Sequence, residues 1–510
     1  MRSWMLRLSL PTGLALMAGC PGGDVLPPGS PSSRVLLRRT SYGIPHIQAD
    51  DYRGLGAGLG YAQAQDAVCI LADQILKVRG ERARYLGAGT NDANINSDLN
   101  YLGLGLLARA EAHYDQQPSA VRDLVEGFAA GYNRYLELTP PERLPAPCKG
   151  AMWVKPIRGV ELLAYHLDLS MLDSTQPLLG YLSQAQPPTA GAARQEPTDV
   201  EELSPQAHVR DLGSNGWALG RERSAGGGGL LLANPHFPWE GGLRFYESHL
   251  NIPGKLDVYG ASLLGVPVIN IGFNRHVAWT HTVAASSHSV LYRLTLVDGD
   301  PTRYLYNGKP RAMSHEEHTI DVRQPDGTLR QVTRSFWRSH YGPVLNGPGV
   351  AWGTRNAYTL RDANEGNHRF AEQWLRMNRA RDLDDLADVD EEVRGIPWVN
   401  TMATSEDGTT RYVDASRVPY LSAETVAARV VARSKTPGVA RSSRYLIPRT
   451  APTWNCRVSP RFPTSRVAVS SSRTCHSGGA WPSPNGSKAL SSVRRSSVRP
   501  AWAAARPAAQ

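Results

Sequence analysis

Residues 213–220 read Gly-Ser-Asn-Gly-Trp-Ala-Leu-Gly, and residues 231–239 read Leu-Leu-Ala-Asn-Pro-His-Phe-Pro-Trp. The junction between Gly213 and Ser214 is typical of a place where a precursor cuts itself and exposes a serine. Such a serine carries two reactive groups, because its hydroxyl can attack while its α-amine, with an unperturbed pKa of about 7.7–8.0, takes up the proton. By itself, Gly-Ser-Asn is more often an ordinary turn. The flanking sequence therefore decides between the two interpretations.

The composition is that of a globular protein: of 510 residues, 41% are hydrophobic and 20% are charged. This length fits two to four domains or one large domain. A net charge of +10 would normally indicate a nucleic-acid partner or an anionic membrane surface. However, residues 425–510 hold 15 Lys and Arg and no Asp or Glu, which leaves 41 basic against 46 acidic residues elsewhere. The basic excess belongs to this tail alone, and we expect no nucleic-acid partner.

The tail, residues 425–510, is also rich in Ser, Pro and Ala and shows little apolar periodicity. Such a segment cannot readily offset the entropy of ordering by burying apolar surface. It has three interpretations: a basic disordered arm, a nucleic-acid-binding tail, or out-of-frame translation of a GC-rich gene.

The first 20 residues have the features of a bacterial lipoprotein signal peptide. Arg2 and Arg7 flank the start of a mostly apolar run, which is too short to span a bilayer as a permanent helix. The run ends in Leu-Met-Ala-Gly-Cys at 16–20, which would make Cys20 the lipidated first residue; ordinary signal cleavage with Cys20 incidental is the alternative. We therefore expect export to the periplasm, with an anchor in the outer membrane through Cys20.

Export makes disulfides possible. Of the five cysteines, Cys69 and Cys148 lie outside both the signal peptide and the tail. An exported chain with two such cysteines tends to pair them, and the alternative is a buried free Cys69 on a helix. No Cys-x-x-Cys or His-x-x-x-His spacing indicates a metal site. We expect no cofactor, and a structural calcium ion is left open.

Hydrophobic periodicity predicts a helical front half and a strand-rich middle that meet at Gly213. In the front half it indicates a strand pair at 33–49, a long amphipathic helix at 55–85 and a second helix at 121–136. Residues 170–212 turn polar and rich in Pro, Gly and Ala, and we expect an exposed linker there. Short strands are expected at 216–220, 230–233, 244–250, 266–273 and 277–282.

The motifs at 214–220 and 231–239 resemble the acylase branch of the N-terminal nucleophile (Ntn) hydrolases, and further segments in the same order extend the resemblance. These segments are Tyr42-Gly43-Ile44-Pro45-His46-Ile47, Arg79-Gly80-Glu81-Arg82-Ala83-Arg84-Tyr85, Gly260-Ala261-Ser262-Leu263, Asn270-Ile271-Gly272-Phe273-Asn274, Ala278-Trp279-Thr280-His281-Thr282, Ile396-Pro397-Trp398-Val399-Asn400-Thr401 and Val418-Pro419-Tyr420-Leu421. The resemblance covers about residues 34–424. It is closest to the acyl-homoserine lactone, pyoverdine-maturing and aculeacin A acylases, with the penicillin acylases more distant.

This resemblance implies an α+β fold, the four-layer αββα sandwich of Ntn hydrolases, with a mainly helical small chain. It divides the sequence into a signal peptide, a small chain, a linker propeptide, the first part of a large chain and the tail, with bounds 1–20, 21–175, 176–213, 214–424 and 425–510. The small and large chains would form a heterodimer cut from one precursor.

The resemblance also implies a mechanism. After cleavage between Gly213 and Ser214, the Ser214 hydroxyl attacks an acyl amide, its α-amine shuttles the proton, and water releases the acid from the acyl-enzyme. His236 lies beside the nucleophile and helps to hold the amine, and the backbone N–H of Val283 binds the oxyanion. One such donor typically lowers the barrier by about 2.7–4 kcal/mol. Without the motif, His236 would be interpreted as a core or helix-cap residue.

An apolar pocket is implied for the acyl chain, since each buried methylene contributes about 0.8 kcal/mol. The matching positions are Phe237, Trp374, Trp398 and Val399, with Asn270 and Asn400 as polar neighbours of unassigned role. Aromatic residues at such positions are as readily core residues. The implied substrate is a small N-acyl amide, a long-chain N-acyl-homoserine lactone or a lipopeptide, cleaved to a fatty acid and a free amine. The alternatives are a penicillin- or cephalosporin-type acylase and a lipoprotein that binds acylated ligands without hydrolysing them.

The sequence departs from this family in its last part. The family's large chain continues for several hundred residues and supplies a second oxyanion donor, an Asn in a Phe-Val-x-Asn-x-Asn-Asp-like segment, and an Arg that helps to organise the site. Neither segment is found here, and Asn455 and Asn485 have different surroundings. Because the acid-free tail begins where family sequence should continue, we expect a shifted or truncated reading frame, an incomplete sandwich and impaired self-cleavage and activity.

Overall fold

The computed structural model describes residues 34–189 and 212–421, together with the backbone of three short strands at Leu6–Leu8, Tyr445–Ile447 and Val467–Ser471. Cys20 with most of the predicted signal peptide, the linker residues 190–211 and most of the tail lie outside the described residues, so the predictions for them stay predictions. Within the described part of the chain, no helix is both long and apolar enough to cross a membrane.

The helices are concentrated before residue 190. They are α1 (Tyr52–Arg79), α2 (Arg82–Leu86), α3 (Ala93–Leu104), α4 (Leu106–Ala112), α5 (Ser119–Leu138), α6 (Gly159–Ser170), α7 (Leu179–Leu182), α8 (Phe370–Met377) and α9 (Leu383–Val393). The predicted helical front half is therefore confirmed, and the helix predicted at 121–136 is α5.

The long helix α1 has a clear start and stop. The carboxylate of Asp51 accepts a hydrogen bond from the N–H of Gly54 at 2.7 Å and so caps the first turn. Gly80 ends the helix in the left-handed conformation, at φ 68°, which glycine adopts without strain. The prediction of one helix over 55–85 is therefore wrong beyond Gly80. Its amphipathic character is also wrong: every residue from Gly58 to Ala64 is buried, because α1 packs against α5, α6 and a sheet.

The strands follow in chain order. They are β1 (Leu6–Leu8), β2 (Val35–Arg39), β3 (Pro45–Ala49), β4 (Gly213–Leu219), β5 (Leu230–His236), β6 (Phe245–Ile252), β7 (Leu256–Leu263), β8 (Ile271–Asn274), β9 (Val277–Val283), β10 (Ser289–Val297), β11 (Asp300–Tyr306), β12 (Lys309–Ala312), β13 (Ser314–Arg323), β14 (Leu329–Ser339), β15 (Gly342–Leu345), β16 (Asn356–Asp362), β17 (Val399–Ser405), β18 (Thr410–Val413), β19 (Tyr445–Ile447) and β20 (Val467–Ser471). The strand pair predicted at 33–49 is confirmed as β2 and β3, which are antiparallel.

In the described residues the strands form three sheets. A nine-stranded sheet has the order β1-β2-β3-β6-β7-β8-β9-β17-β18, and an eight-stranded sheet has the order β12-β11-β10-β16-β15-β14-β13 with β19 beside β10. The third sheet has the order β20-β4-β5. Helices and largely antiparallel sheets thus coexist, and the predicted α+β class is confirmed.

The nine-stranded sheet is covered on both faces at β17. Val399 and Ala403 belong to the core that contains the helices, whereas Met402 packs with Ala218 of β4. Because side chains alternate along a strand, the helices and the β4–β5 pair lie on opposite faces of the sheet. The described residues therefore build an α–β–β stack, three layers of the expected sandwich.

Four of the five strands predicted after Gly213 are present as β4, β5, β6 and β9. The strand predicted at 266–273 is wrong for most of its length, since only its last three residues belong to β8. Gly265, at φ 79°, turns the chain after β7, and the N–H of Val266 donates back to the carbonyl of Leu263. The segment is apolar because it fills the core, not because it is a strand.

The beginning of the predicted linker is folded. Leu178, Leu182 and Ala185 are at most 2% exposed, and α7 contacts α3 and β15. The prediction of an exposed linker from residue 170 onward is therefore wrong for residues 170–185, because their apolar side chains complete the core.

The predicted disulfide between Cys69 and Cys148 is confirmed, with an S–S distance of 2.02 Å. It ties the middle of α1 to a single helical turn at Ala146–Cys148, before α6.

Candidate active site

Ser214 lies near the start of β4, opposite Pro235 of β5. Ala218 of the same strand packs on Met402, and the alternation of side chains places Ser214 on that face, toward the nine-stranded sheet. Ser214 is only 3% exposed. Its hydroxyl donates a hydrogen bond to the carbonyl oxygen of Gly213 at 2.5 Å. The predicted nucleophile is thus a buried hydroxyl held against the carbonyl of the peptide bond at which cleavage is predicted.

His236 is opposite Gly213 in the same strand pair. Its Nε2 atom lies 3.0 Å from Nδ2 of Asn215 and 3.2 Å from Nδ2 of Asn234. An amide N–H only donates, so Nε2 accepts and the ring proton is on Nδ1. Alternation places the three side chains on the face opposite the Ser214 hydroxyl. The structure therefore brings His236 beside the Gly213–Ser214 peptide but not face to face with the hydroxyl.

Sequence reasoning missed Asn215 and Asn234 as partners of this imidazole. A signal was present for Asn234, because a residue two positions before His236 on a strand shares its face. Asn215 required the register of β4 and β5, which places it opposite Asn234.

Val283 is the last residue of β9 and is opposite Val399 of β17. In the next pair, the N–H of Ala284 donates to the carbonyl of Trp398 at 3.0 Å. Hydrogen-bonded and non-hydrogen-bonded pairs alternate between antiparallel strands, so the N–H of Val283 points away from β17. On that side, the pairing of β9 with β8 ends at Trp279. This orientation suits a backbone donor to a ligand, and the oxyanion role of Val283 stays a prediction.

Asn400 lies between the two sheets, since it shares the face of β17 that carries Met402. Its Nδ2 donates to Oγ1 of Thr282 at 3.1 Å and lies 3.5 Å from the carbonyl oxygen of Val283. Its Oδ1 accepts a hydrogen bond from the hydroxyl of Tyr412 at 3.0 Å. This polar neighbour is therefore next to the predicted oxyanion donor, with both ends of its amide in use.

All four predicted acyl-binding residues belong to one apolar core or pack against it. The rings of Phe237 and Trp398 stack with centroids 6.3 Å apart, and Phe237 also meets the ring of Phe245 at 5.2 Å. The indole N–H of Trp398 donates to the carbonyl of Leu169 at 2.9 Å. Val399 follows directly and is buried in the same core. The structure thus joins these residues, and their role in binding an acyl chain stays a prediction.

Trp374, the fourth predicted acyl-binding residue, has its indole N–H in a buried polar cluster. This N–H lies 2.9 Å from Nε2 of His281 and 3.1 Å from the carbonyl of Asn270. Burial lowers the pKa of His281 to about 4, so its imidazole is neutral at pH 7. Sequence reasoning did not single out His281, although it lies within the Ala-Trp-Thr-His-Thr motif.

An open cavity of about 560 Å³ is lined by residues of α1, α5 and the start of α6, including Arg53, Glu126 and Arg158. Its lining is charged and contains none of the predicted site residues, so it is not the expected acyl pocket. Across residues 34–189 and 212–421, no group of three or more His, Cys, Asp or Glu side chains is arranged to hold a metal ion.

Residues 34–453 match the sequence model of the penicillin amidase family, and the chain belongs to that family. The match covers the helical half, β4 with Ser214 and, except for β1, every strand of the nine-stranded sheet. It runs past residue 424, where we expected the resemblance to end.

Curated relatives place the chain near particular members. Over 399 residues it is 46% identical to acyl-homoserine lactone acylase PvdQ of Pseudomonas fluorescens (strain Pf0-1). The aligned residues cover 77% of this chain and 51% of that protein. Over 410 residues it is 39% identical to aculeacin-A acylase of Actinoplanes utahensis, covering 78% and 52%. The chain thus spans about half the length of the curated relatives it matches. A solved thermostable penicillin G acylase from Alcaligenes faecalis is similar over 54% of this chain and 45% of its own, with a TM-score of 0.39 and 19% identity.

Proposed function

We propose that this chain is an acylase that hydrolyses the amide bond of N-acyl compounds, with Ser214 as its nucleophile after self-cleavage. The observation that carries the proposal is the position of Ser214: a buried hydroxyl directly after Gly213, aimed into the core between the two sheets. The family and the similarity to acyl-homoserine lactone and aculeacin-A acylases support the same chemistry.

Self-cleavage would use the contact between the two residues of the junction. The Ser214 hydroxyl attacks the carbonyl carbon of Gly213, the C–N bond breaks, and the acyl group passes to the serine oxygen as an ester. Water then hydrolyses the ester, which leaves a carboxylate on Gly213 and a free α-amine on Ser214. A small chain and a large chain result from one precursor.

The same serine would then act on substrate. Its hydroxyl attacks the acyl carbonyl while its α-amine accepts the proton and returns it to the departing amine; water releases the fatty acid from the acyl-enzyme. Because His236 lies on the opposite face from the hydroxyl, it acts on the backbone nitrogen of Ser214. Val283 donates its N–H to the oxyanion that forms on the acyl oxygen.

The acyl group would be a long aliphatic chain. Phe237, Trp398 and Val399 offer apolar surface, and each methylene that they bury contributes about 0.8 kcal/mol to binding. We infer N-acyl-homoserine lactones or lipopeptides as substrates, which would make the protein a quencher of acylated signals. Export through the signal peptide and lipidation of Cys20 would place it in the periplasm, at the outer membrane.

Mass spectrometry and N-terminal sequencing of the purified protein test the cleavage. We expect a large chain that begins Ser-Asn-Gly, and a single uncut chain for Ser214→Ala. Ser224→Ala, a nearby serine in a turn after β4, is the matched control and should be cut normally. An uncut wild-type chain with full activity would contradict the proposal.

Release of free amine from a long-chain N-acyl-homoserine lactone and from a phenylacetyl amide tests the substrate. Faster release from the long-chain lactone supports the proposed class, and faster release from the aromatic amide favours the penicillin-type alternative. An uncut chain that binds the lactone without hydrolysis would identify a ligand-binding lipoprotein instead.

A further inference from the structure

A pair of histidines outside the candidate active site lies on β3 and β6. These strands are parallel neighbours, with His46 opposite His249. The Nδ1 atoms of the two imidazoles are 3.0 Å apart, and the ring planes meet at 79°. The next residues, Ile47 and Leu250, point into the main core. The imidazoles therefore lie on the other face of the sheet, where both are partly exposed and within reach of solvent.

Asp257 of β7 fixes the protonation of one ring. Its Oδ1 lies 2.6 Å from Nε2 of His249. A carboxylate only accepts, so Nε2 of His249 carries a proton, and in the neutral imidazole Nδ1 carries the lone pair. The proton between the two rings consequently belongs to Nδ1 of His46. A carboxylate that holds one imidazole nitrogen while the other presents its lone pair is the usual support of a metal-binding histidine.

We propose that His46 and His249 bind a divalent transition-metal ion of the Cu²⁺ or Ni²⁺ type through their Nδ1 atoms. The ion takes the place of the proton on Nδ1 of His46, and that ring regains a proton from water at Nε2. Both imidazoles thus stay neutral, each with one lone pair on the ion. The site needs no catalytic activity of the protein.

The chemistry of the two ligands favours a particular kind of ion. The Nδ1–Nδ1 distance of 3.0 Å is that of the hydrogen bond between the two rings, which must open for an ion to enter. Imidazole is a usual ligand of Cu²⁺ and Ni²⁺, and among the divalent first-row ions Cu²⁺ binds such sites most tightly.

The charges around the pair favour a cation. Asp257 contacts His249 directly, and Glu247, two residues before His249 on β6, shares its face. On the other side, Arg38 of β2 is opposite His46. The carboxylate of Asp257 is the charge in direct contact with the imidazole pair, and it favours a bound cation.

Calorimetric titration of the full chain with Cu²⁺, followed by electron paramagnetic resonance of the complex, tests the proposal. We expect one site per chain whose spectrum shows coupling to two imidazole nitrogens, and Cu²⁺ should bind there more tightly than Zn²⁺. His46→Gln and His249→Gln should each lower the affinity for Cu²⁺ by more than tenfold. His315→Gln, which removes an exposed histidine stacked on Trp337 of β14, is the matched control and should leave the affinity unchanged.

The variant Asp257→Asn tests whether Asp257 only orients His249 or itself binds the metal ion. It should weaken Cu²⁺ binding by about 10–100-fold while the spectrum still shows two nitrogens. Thermal melting without metal shows whether each variant folds, and the wild-type spectrum counts the nitrogens even if a histidine variant fails to fold. A wild-type spectrum without two coupled nitrogens, or unchanged affinity in a folded His46→Gln variant, would overturn the proposal.

Discussion

The indole N–H of Trp374 lies 2.9 Å from Nε2 of His281 and donates a hydrogen bond to it inside the core. Because an indole N–H only donates, Nε2 is unprotonated, and the proton on Nδ1 is donated to the carbonyl of Asn400 at 3.1 Å. The neutral imidazole thus ties α8 to β17 beside the last residues of β9. Protonation of His281 would place an N–H on Nε2 directly against the indole N–H of Trp374. Burial also disfavours the charged ring and lowers the pKa of His281 to about 4.

His281 should make the fold sensitive to acid. Its pKa is lower in the folded state than in the unfolded one, so its contribution is present above about pH 6.5 and is lost as the pH falls toward 4. Between pH 7 and pH 5 this loss amounts to about 2 kcal/mol. His281→Gln keeps an acceptor and a donor without a titratable group. Urea unfolding at the two pH values should show that the wild type loses about 2 kcal/mol more than the variant; equal losses would contradict this prediction.

Asp362 should have the opposite dependence on pH. Its buried carboxylate accepts hydrogen bonds from the hydroxyls of Ser174 and Thr175 at 2.5 and 2.6 Å, and burial nevertheless raises its pKa to about 6. A raised pKa gives a contribution that is complete below about pH 4 and is lost as the pH rises through 6. When the pH rises from 4 to 7, the free energy of unfolding of Asp362→Asn, measured with urea, should therefore increase by about 2 kcal/mol relative to that of the wild type.

The control for this prediction is Asp115→Asn, because Asp115 is an almost fully exposed carboxylate on the loop before α5. This variant measures the change in the free energy of unfolding between the two pH values that removal of an exposed carboxylate causes. A change for Asp362→Asn no larger than that for Asp115→Asn would contradict the prediction, because it would show that folding does not raise the pKa of Asp362.

The disulfide should stabilise the helical half strongly. Cys69 and Cys148 are 79 residues apart in sequence, and a closed loop of that length removes unfolded-state entropy worth about 4.5 kcal/mol. Both cysteines precede the Gly213–Ser214 junction, so cleavage there leaves this loop closed. The double variant Cys69→Ser/Cys148→Ser should unfold at a lower urea concentration, with a free energy of unfolding reduced by about that amount. A thiol reductant should lower the free energy of unfolding of the wild type to the value of the variant. If reduction leaves the wild type unchanged, the prediction fails.

Local features of the fold could be predicted from the sequence. The β2–β3 pair and α5 depend on contacts between residues close in the chain, and periodicity was sufficient for them. The end of α1 was not predictable in this way, because it depends on the left-handed backbone of Gly80. The prediction that the linker is exposed from residue 170 onward failed for a different reason. The apolar side chains around Leu178 become buried only when distant elements such as β15 pack against this segment.

The candidate site shows the same division. Ser214 and His236 are identified by their own motifs, and the register of β4 and β5 puts His236 opposite Gly213. His281 was missed because its partner Trp374 is 93 residues away in sequence, and no local pattern records that hydrogen bond. The opposite faces of Ser214 and His236 also required the register of two strands.

Gly131→Ala tests the close contact between α1 and α5. Inside a helix, alanine is intrinsically favoured over glycine by about 1 kcal/mol, so propensity alone predicts a gain in stability. A Cβ at Gly131 would, however, lie 1.9 Å from the carbonyl oxygen of Ala57 and 2.8 Å from the backbone nitrogen of Tyr61, and backbone atoms of a helix cannot move aside singly. The two helices must separate, and we expect a net loss of about 2–3 kcal/mol in urea unfolding. Gly226→Ala is the matched control, because a Cβ there meets no atom within 4 Å, and its stability should stay within about 0.5 kcal/mol of the wild type. A stabilised Gly131→Ala variant would mean that α1 and α5 are farther apart than the backbone contact requires.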